Sequence, residues 1–243
     1  MATDKNLWNN PAFSDGIKNL FRPRPSNNQL NTAQDERTQQ NTAAPIDNQC
    51  FTFKISLRRV TPVIWRRFKV ESSTSLSRFH VILQAIMGWK HCHLHKFQQG
   101  NIEHYLEEGQ EDYGINLSQM NLTVGSELLY EYDFGDGWEH DIVLESVDDI
   151  QETENLPMLL DGKNACPPED CGSPTGFMSL KKILRMKRGK DEQTGLTYKE
   201  MIEWLEERHT YDYSGYDPYE FDSDNDKFVE NLRYLDEMIE RYR

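Results

Sequence analysis

The sequence predicts an α+β fold, a mainly antiparallel sheet with a β-grasp-like strand-strand-helix-strand start and a helical C-terminal third. Three observations carry that expectation. Phe51, Phe53, Ile55 and Leu57 alternate with Thr52, Lys54 and Ser56, which is the period-2 signature of a half-buried strand. Leu76, Phe79, Leu83, Ile86 and Met87 then recur at helical spacing. Near the C-terminus, Phe228, Leu232, Leu235 and Ile239 form a last amphipathic stripe.

The remaining elements follow in chain order. A second extended segment, Val63 to Val70, comes after a turn at Thr61 and Pro62. Ser75 stands where the first helix needs an N-cap, and Gly88 where a left-handed C-terminal cap is expected. His91 to Gln98 reads as a further strand. Leu128 to Phe134 and Trp138 to Glu145 read as a hairpin closed through Gly135, Asp136 and Gly137. Thr197 and Glu200 make a capping-box pattern ahead of Met201, Trp204 and Leu205. No internal repeat is visible.

The first 49 residues hold fourteen Asn and Gln and few β-branched or aromatic residues after Phe21. Such a stretch cannot bury enough apolar area to offset chain ordering, so residues 1–48 are expected to be a disordered polar tail. Within it, Phe13, Ile17, Leu20 and Phe21 could form a short helix over 12–21. Residues 49–243 are expected to form the domain.

The chain carries 41 Asp and Glu against 27 Lys and Arg, a net charge of -14. The tail is balanced, five charges of each sign in its first 49 residues, so the surplus of 36 against 22 belongs to the remainder. That balance argues against a protein that coats duplex nucleic acid or an anionic membrane, since both demand a net cationic face. With no apolar run near the ~20 residues of a membrane span and no signal-like N-terminus, the expectation is a soluble, cytoplasmic protein that touches no membrane.

Several separated motifs resemble the plasmid pRiA4b ORF-3-like family. They are Pro62 to Arg67, Met87-Gly88-Trp89, His93-Leu94-His95, Tyr132 to His140 and Ala165 to Gly172. Trp204-Leu205, Asp217-Pro218, Glu220-Phe221-Asp222 and Asn231-Leu232 follow in the same order. The resemblance spans about residues 50–235 and implies an α+β fold, carriage on plasmids and insertion sequences as a passenger protein, and no assigned activity. One departure is Ser173, where the family usually places a second glycine after Gly172.

The sharpest chemical feature is the alternation of His91, His93 and His95, which on a strand would project from one face and bring two imidazoles to one metal ion. Possible further ligands are Cys166, Glu169, Asp170 and Cys171 in the proline-containing loop, and His140, with zinc the ion that mixed imidazole and thiolate favour. The alternative is that these histidines bond backbone carbonyls and the cysteines are reduced core residues. His140 shares a strand face with Trp138 and Ile142 and reads as a core histidine, while Asp133 and Asp136 bracket a turn, where they accept hydrogen bonds from neighbouring backbone N–H groups or, as the alternative, hold a cation at the hairpin tip.

Familiar catalytic signatures are incomplete. Asp133-Phe134-Gly135 lacks the other kinase motifs. Asp222, Asp224 and Asp226 imitate a calcium loop, but Lys227 occupies the glycine position. There is no Gly-x-Ser-x-Gly elbow and no phosphate-binding Gly-Lys-Ser/Thr loop.

Two basic clusters interrupt the acidic background. One is Arg58, Arg59, Arg66, Arg67 and Lys69 on the first strands; the other is Lys181, Lys182, Arg185, Lys187, Arg188 and Lys190 on a helix, where weak nucleic-acid contact is conceivable.

The leading expectation is a non-catalytic module that binds a protein or small ligand in a groove formed by Trp89, His93, His95, Asp133, Asp136, Trp138, His140, Glu169 and Asp170. The rival is a metal-dependent hydrolase or nuclease-like enzyme, with His93, His95, Cys166, Asp170 and Cys171 as ligands and Glu169 as general base.

Overall fold

The computed structural model describes residues 48–106, 112–186, 197, 199–200, 203 and 216–242. The helix expected over 12–21, and Lys187, Arg188, Lys190, Met201, Trp204 and Leu205, lie outside the described residues.

Seven strands form one antiparallel sheet. They are β1 (Gln49–Leu57), β2 (Trp65–Glu71), β3 (His95–Gln99), β4 (Ile102–Tyr105), β5 (Glu127–Tyr132), β6 (Trp138–Asp149) and β7 (Met158–Lys163), in the order β4-β3-β5-β6-β1-β2-β7. Among the described residues the α-helices are α1 (Leu76–Met87), α2 (Ser173–Met186) and α3 (Asn225–Tyr242). The expected strand-strand-helix-strand opening is present as β1, β2, α1 and β3, and α2 and α3 are the helices of the described C-terminal residues.

β1 lies inside the sheet, flanked by β2 and β6, and this explains its burial. Phe51, Phe53, Ile55 and Leu57 are buried as their alternation requires, but Thr52 is buried too, beside a register shift in the pairing with β6. Phe53 packs on Phe68 and Phe79, and Phe79 on Phe97, with ring centroids 5.1–5.9 Å apart. Each such ring contributes roughly 1.5–3 kcal/mol by leaving water, so this ladder anchors α1 to the sheet.

α1 is bounded as its sequence demands. Ser75 Oγ accepts from the Arg78 backbone N–H at 3.1 Å, and Gly88, at φ 78°, donates to Gln84 O at 2.8 Å. Ten of its twelve residues are buried, because α3 covers it with Phe228, Leu232 and Leu235 while Asp236 pairs with Arg78. α2 adds Phe177 and Leu180 to the core. A Cβ on Gly176 would lie 2.3 Å from Cys171 O, so the close passage of α2 past the preceding loop needs glycine there.

The strands differ from the sequence expectations in several places. β3 begins at His95, not His91, because His91 takes a left-handed conformation (φ 55°) that breaks the extended alternation. β5 stops at Tyr132, since Asp133 is likewise left-handed (φ 54°) and turns the chain early. β4 and β7 are sheet-edge strands whose mixed exposure gives no clean alternation to read. No helix among the described residues is long and apolar enough to cross a membrane.

Candidate functional site

The segment from Gly88 to Leu94 leaves the left-handed cap of α1 and is pinned at both ends. Trp89 is buried, stacks on Tyr132 at 4.9 Å, and donates its indole N–H to Pro167 O at 2.9 Å. The Leu94 carbonyl accepts from the Asp133 N–H at 2.9 Å. Through these contacts the segment after α1 meets the loop before α2 and the β5–β6 turn.

His93 sits at their junction. Its Nε2 is 3.1 Å from Asp170 Oδ1, 3.8 Å from Asp133 Oδ2 and 3.8 Å from Glu169 Oε2. The atom is shielded from solvent, and no hydrogen bond is aligned on it despite the closeness of Asp170. Asp133 and Glu169 are held from behind. Asp133 Oδ1 accepts from the N–H groups of Gly135 (3.0 Å) and Asp136 (3.3 Å), which directs Oδ2 toward His93. Glu169, 6% exposed, accepts at Oε1 from the Lys90 N–H (2.7 Å) and the Tyr132 hydroxyl (3.0 Å). Asp136 accepts from the Gly172 N–H at 3.1 Å and so ties the hairpin turn to the loop before α2. His91, Asp133 and Asp170 all have positive φ, a strained backbone for non-glycine residues that a surrounding structure must hold in place.

Two overlapping sets of side chains have the spacing of metal ligands. One is His93, Asp133 and Asp170; the other is Cys92, His93 and Glu169; in each, one donor atom per residue lies within 4.8 Å of the others. The electrostatics follow from these neighbours. A hydrogen bond to Cys92 and the charges of Cys92, Asp133 and Asp170 outweigh desolvation and raise the His93 pKa to about 9. Burial raises that of Glu169, against the lowering effect of its bonds to Lys90 and Tyr132 and of nearby His93.

His95 goes elsewhere. Its ring lies flat on His80, centroids 3.3 Å apart and planes 6° from parallel, and burial lowers its pKa to about 3. His93 and His95 therefore do not share a ligand set among the described residues: the strand begins only at His95, and His93 stays in the irregular segment before it. The two cysteines proposed as ligands also stand outside both sets. Cys166 Sγ accepts from Arg66 at 3.2 Å and lies 3.4 Å from Met87 Sδ, while Cys171 packs in the core. Trp138 and His140 are fully buried, His140 between Trp89 and Tyr130, and burial lowers its pKa to about 4. They support the cluster from below and do not line it.

The sequence offers Asp133 as a groove residue and, with Asp136, as a possible cation-holding pair at the hairpin tip, but does not join it to His93, and it does not single out Cys92 or His80. Cys92 was readable from its place between His91 and His93. The role of Asp133 depends on the pairing of β3 with β5, for which the sequence has no local signal.

Among the described residues, several members of the basic clusters are engaged by neighbouring groups. Arg58 pairs with Asp141, Arg67 with Glu145 at 2.5 Å and Lys69 with Glu154 at 2.6 Å. Arg66 is buried, donating to Ile86 O, Trp65 O and Lys163 O and lying over the Phe221 ring. Lys181 is 3% exposed and donates to Thr61 O at 2.7 Å, so it is not a phosphate contact, although Lys182 and Arg185 are at the surface.

Beside the cluster opens a cleft of about 1080 Å³ between the end of α1, the loop before α2 and the start of α3. Glu169 lines it and also faces His93 through Oε2, so this residue is shared by the cleft wall and the cluster.

Fold and site together define an α+β protein with a histidine–carboxylate cluster at the meeting of three loops. The chain belongs to the plasmid pRiA4b ORF-3-like protein family, whose model matches residues 49–225. It is similar to the uncharacterised protein y4hQ of Sinorhizobium fredii, 38% identical over 140 residues that cover 54% of this chain and 71% of that protein. It is also similar to the crystal structure of a protein of unknown function, MM3350, from Methanosarcina mazei Go1. That match has 28% identity and a TM-score of 0.61, covering 72% of this chain and 96% of the other.

Proposed function

We propose that this protein is a ligand-binding module that works through a divalent cation, zinc fitting best, held by His93, Asp133 and Asp170. One observation carries the reading. A buried imidazole nitrogen with no aligned hydrogen bond stands 3.1 and 3.8 Å from two carboxylate oxygens. Bonds of about 2.0–2.1 Å at tetrahedral angles put neighbouring ligand atoms about 3.3 Å apart, which lies between those separations. Three protein ligands leave a further position for the bound molecule, the arrangement of an open zinc site.

Titration calorimetry of the full chain with zinc chloride tests this. The expectation is one site per chain, weakened at least tenfold by His93→Ala and by Asp133→Asn. Undiminished zinc binding by both variants, or none by the native protein, would refute it.

A further inference from the structure

We infer that the cluster is hydrolytic, cleaving an amide or ester bond in a positively charged substrate that lies in the adjoining cleft, with Glu169 as general base. This rests on the cation reading above and extends it to a reaction and a substrate class.

The placement of Glu169 is the first support. Its carboxylate is 6% exposed and fixed through Oε1 by the Lys90 N–H and the Tyr132 hydroxyl, while Oε2 faces His93 Nε2 at 3.8 Å. A carboxylate so held cannot swing away, and its second oxygen is within reach of a water at the cluster. Glu169 also lines the cleft, whereas His93, Asp133 and Asp170 do not, so a substrate in the cleft meets the cluster at this residue.

The charge of the cleft names the substrate. Asp217, Glu220, Asp222 and Asp224 line it together with Lys90 and Lys227, and Lys227 is already near Asp222 at 3.6 Å. Arg66 lines it as well, but its guanidinium is turned to backbone carbonyls. The surplus is acidic and repels phosphodiesters, while it attracts a cationic group. Apolar Ile86, Leu159 and Phe228 supply contact for the body of such a molecule.

The step balances without a redox partner. A water at the cluster gives a proton to Glu169 Oε2 as its oxygen bonds to the carbonyl carbon. The tetrahedral centre collapses, the C–N or C–O bond breaks, and Glu169 returns the proton to the leaving nitrogen or oxygen. One water is consumed for each bond cleaved.

The test uses the full zinc-loaded chain with three chromogenic probes: arginine 4-nitroanilide, glutamate 4-nitroanilide and bis(4-nitrophenyl) phosphate. The expected result is zinc-dependent release of nitroaniline from the arginine compound, at least tenfold faster than from the glutamate compound, with the phosphodiester untouched. Glu169→Gln, which keeps the acceptor at Oε1, should lower kcat by about 100-fold or more with zinc affinity within a few fold. A second variant, Glu220→Gln, lies on the cleft rim and should raise KM for the arginine compound with kcat unchanged. Stoichiometric zinc without hydrolysis of either nitroanilide overturns the hydrolytic inference alone, and preferential cleavage of the phosphodiester overturns its substrate class. Absence of zinc binding overturns this inference together with the cation reading.

Discussion

His80 Nε2 and His91 Nδ1 face each other at 2.5 Å, and this contact closes a ring of hydrogen bonds that sets the tautomer of both imidazoles. The His91 backbone N–H donates to Gln84 Oε1 at 2.9 Å, which fixes the amide so that Gln84 Nε2 donates to the Tyr130 hydroxyl at 2.9 Å. The Tyr130 proton is then directed at His80 Nδ1, 2.8 Å away, and His80 donates from Nε2 to His91. The ring holds His91 in its left-handed conformation immediately before Cys92 and His93. Tyr130→Phe removes the central hydroxyl and leaves His80 and Gln84 unsatisfied in the core. It should cost about 1–3 kcal/mol in urea denaturation. Unchanged stability would show that the ring carries no weight.

Acid should destabilise the protein before its carboxylates titrate. Burial lowers the folded-state pKa of His140 to about 4 and that of His95 to about 3, whereas the unfolded chain protonates them near 6.5. The unfolded state therefore binds protons that the native state refuses, and stability, full above about pH 6.5, is lost as the pH falls below it. For His140 the loss is on the order of 2 kcal/mol between pH 6.5 and 5. Thermal melts across that range should show a falling Tm; a flat profile contradicts it.

Two substitutions at the start of α2 should act in opposite directions. Ser173 sits at φ 66°, a conformation that suits glycine and gives a backbone reason for the glycine usual in the family. Ser173→Gly should stabilise by about 1 kcal/mol and raise Tm by a few degrees. Gly176→Ala would push a Cβ to 2.3 Å from Cys171 O and should destabilise by about 1–3 kcal/mol. Differential scanning calorimetry of the pair checks both signs.

Nucleic-acid binding should be weak. Lys181 is buried against Thr61 and the rings of Phe177 and Tyr219, and the chain as a whole is at -14. Fluorescence anisotropy with a labelled duplex should show binding that vanishes near physiological salt, where the Debye length is about 8 Å. Nanomolar binding at that salt would contradict this.

Local patterns in the chain revealed much of the fold and little of the site. Ser75, Gly88 and the apolar spacing between them announce α1 because capping and periodicity are local properties. Phe51 to Leu57 announce β1 for the same reason. The cluster around His93 is only half legible: His93 and Asp170 stand among the candidate ligands, but Asp133 joins them through the pairing of β3 with β5, a contact between segments distant in the chain. A left-handed His91 has no signature in a histidine-rich run, so the strand pattern was extended four residues too far. Cys166 looked like a ligand from its loop; its burial against Arg66 and Met87 arises from contacts about eighty and a hundred residues away along the chain.

The most direct measurement is a crystal structure of the zinc-soaked protein with anomalous data collected above and below the zinc edge. The account predicts a single strong anomalous peak about 2.0–2.2 Å from His93 Nε2, Asp133 Oδ2 and Asp170 Oδ1. An empty cluster, or a zinc ion bound at Cys166 and Cys171 or among His80, His91 and His95, would contradict it.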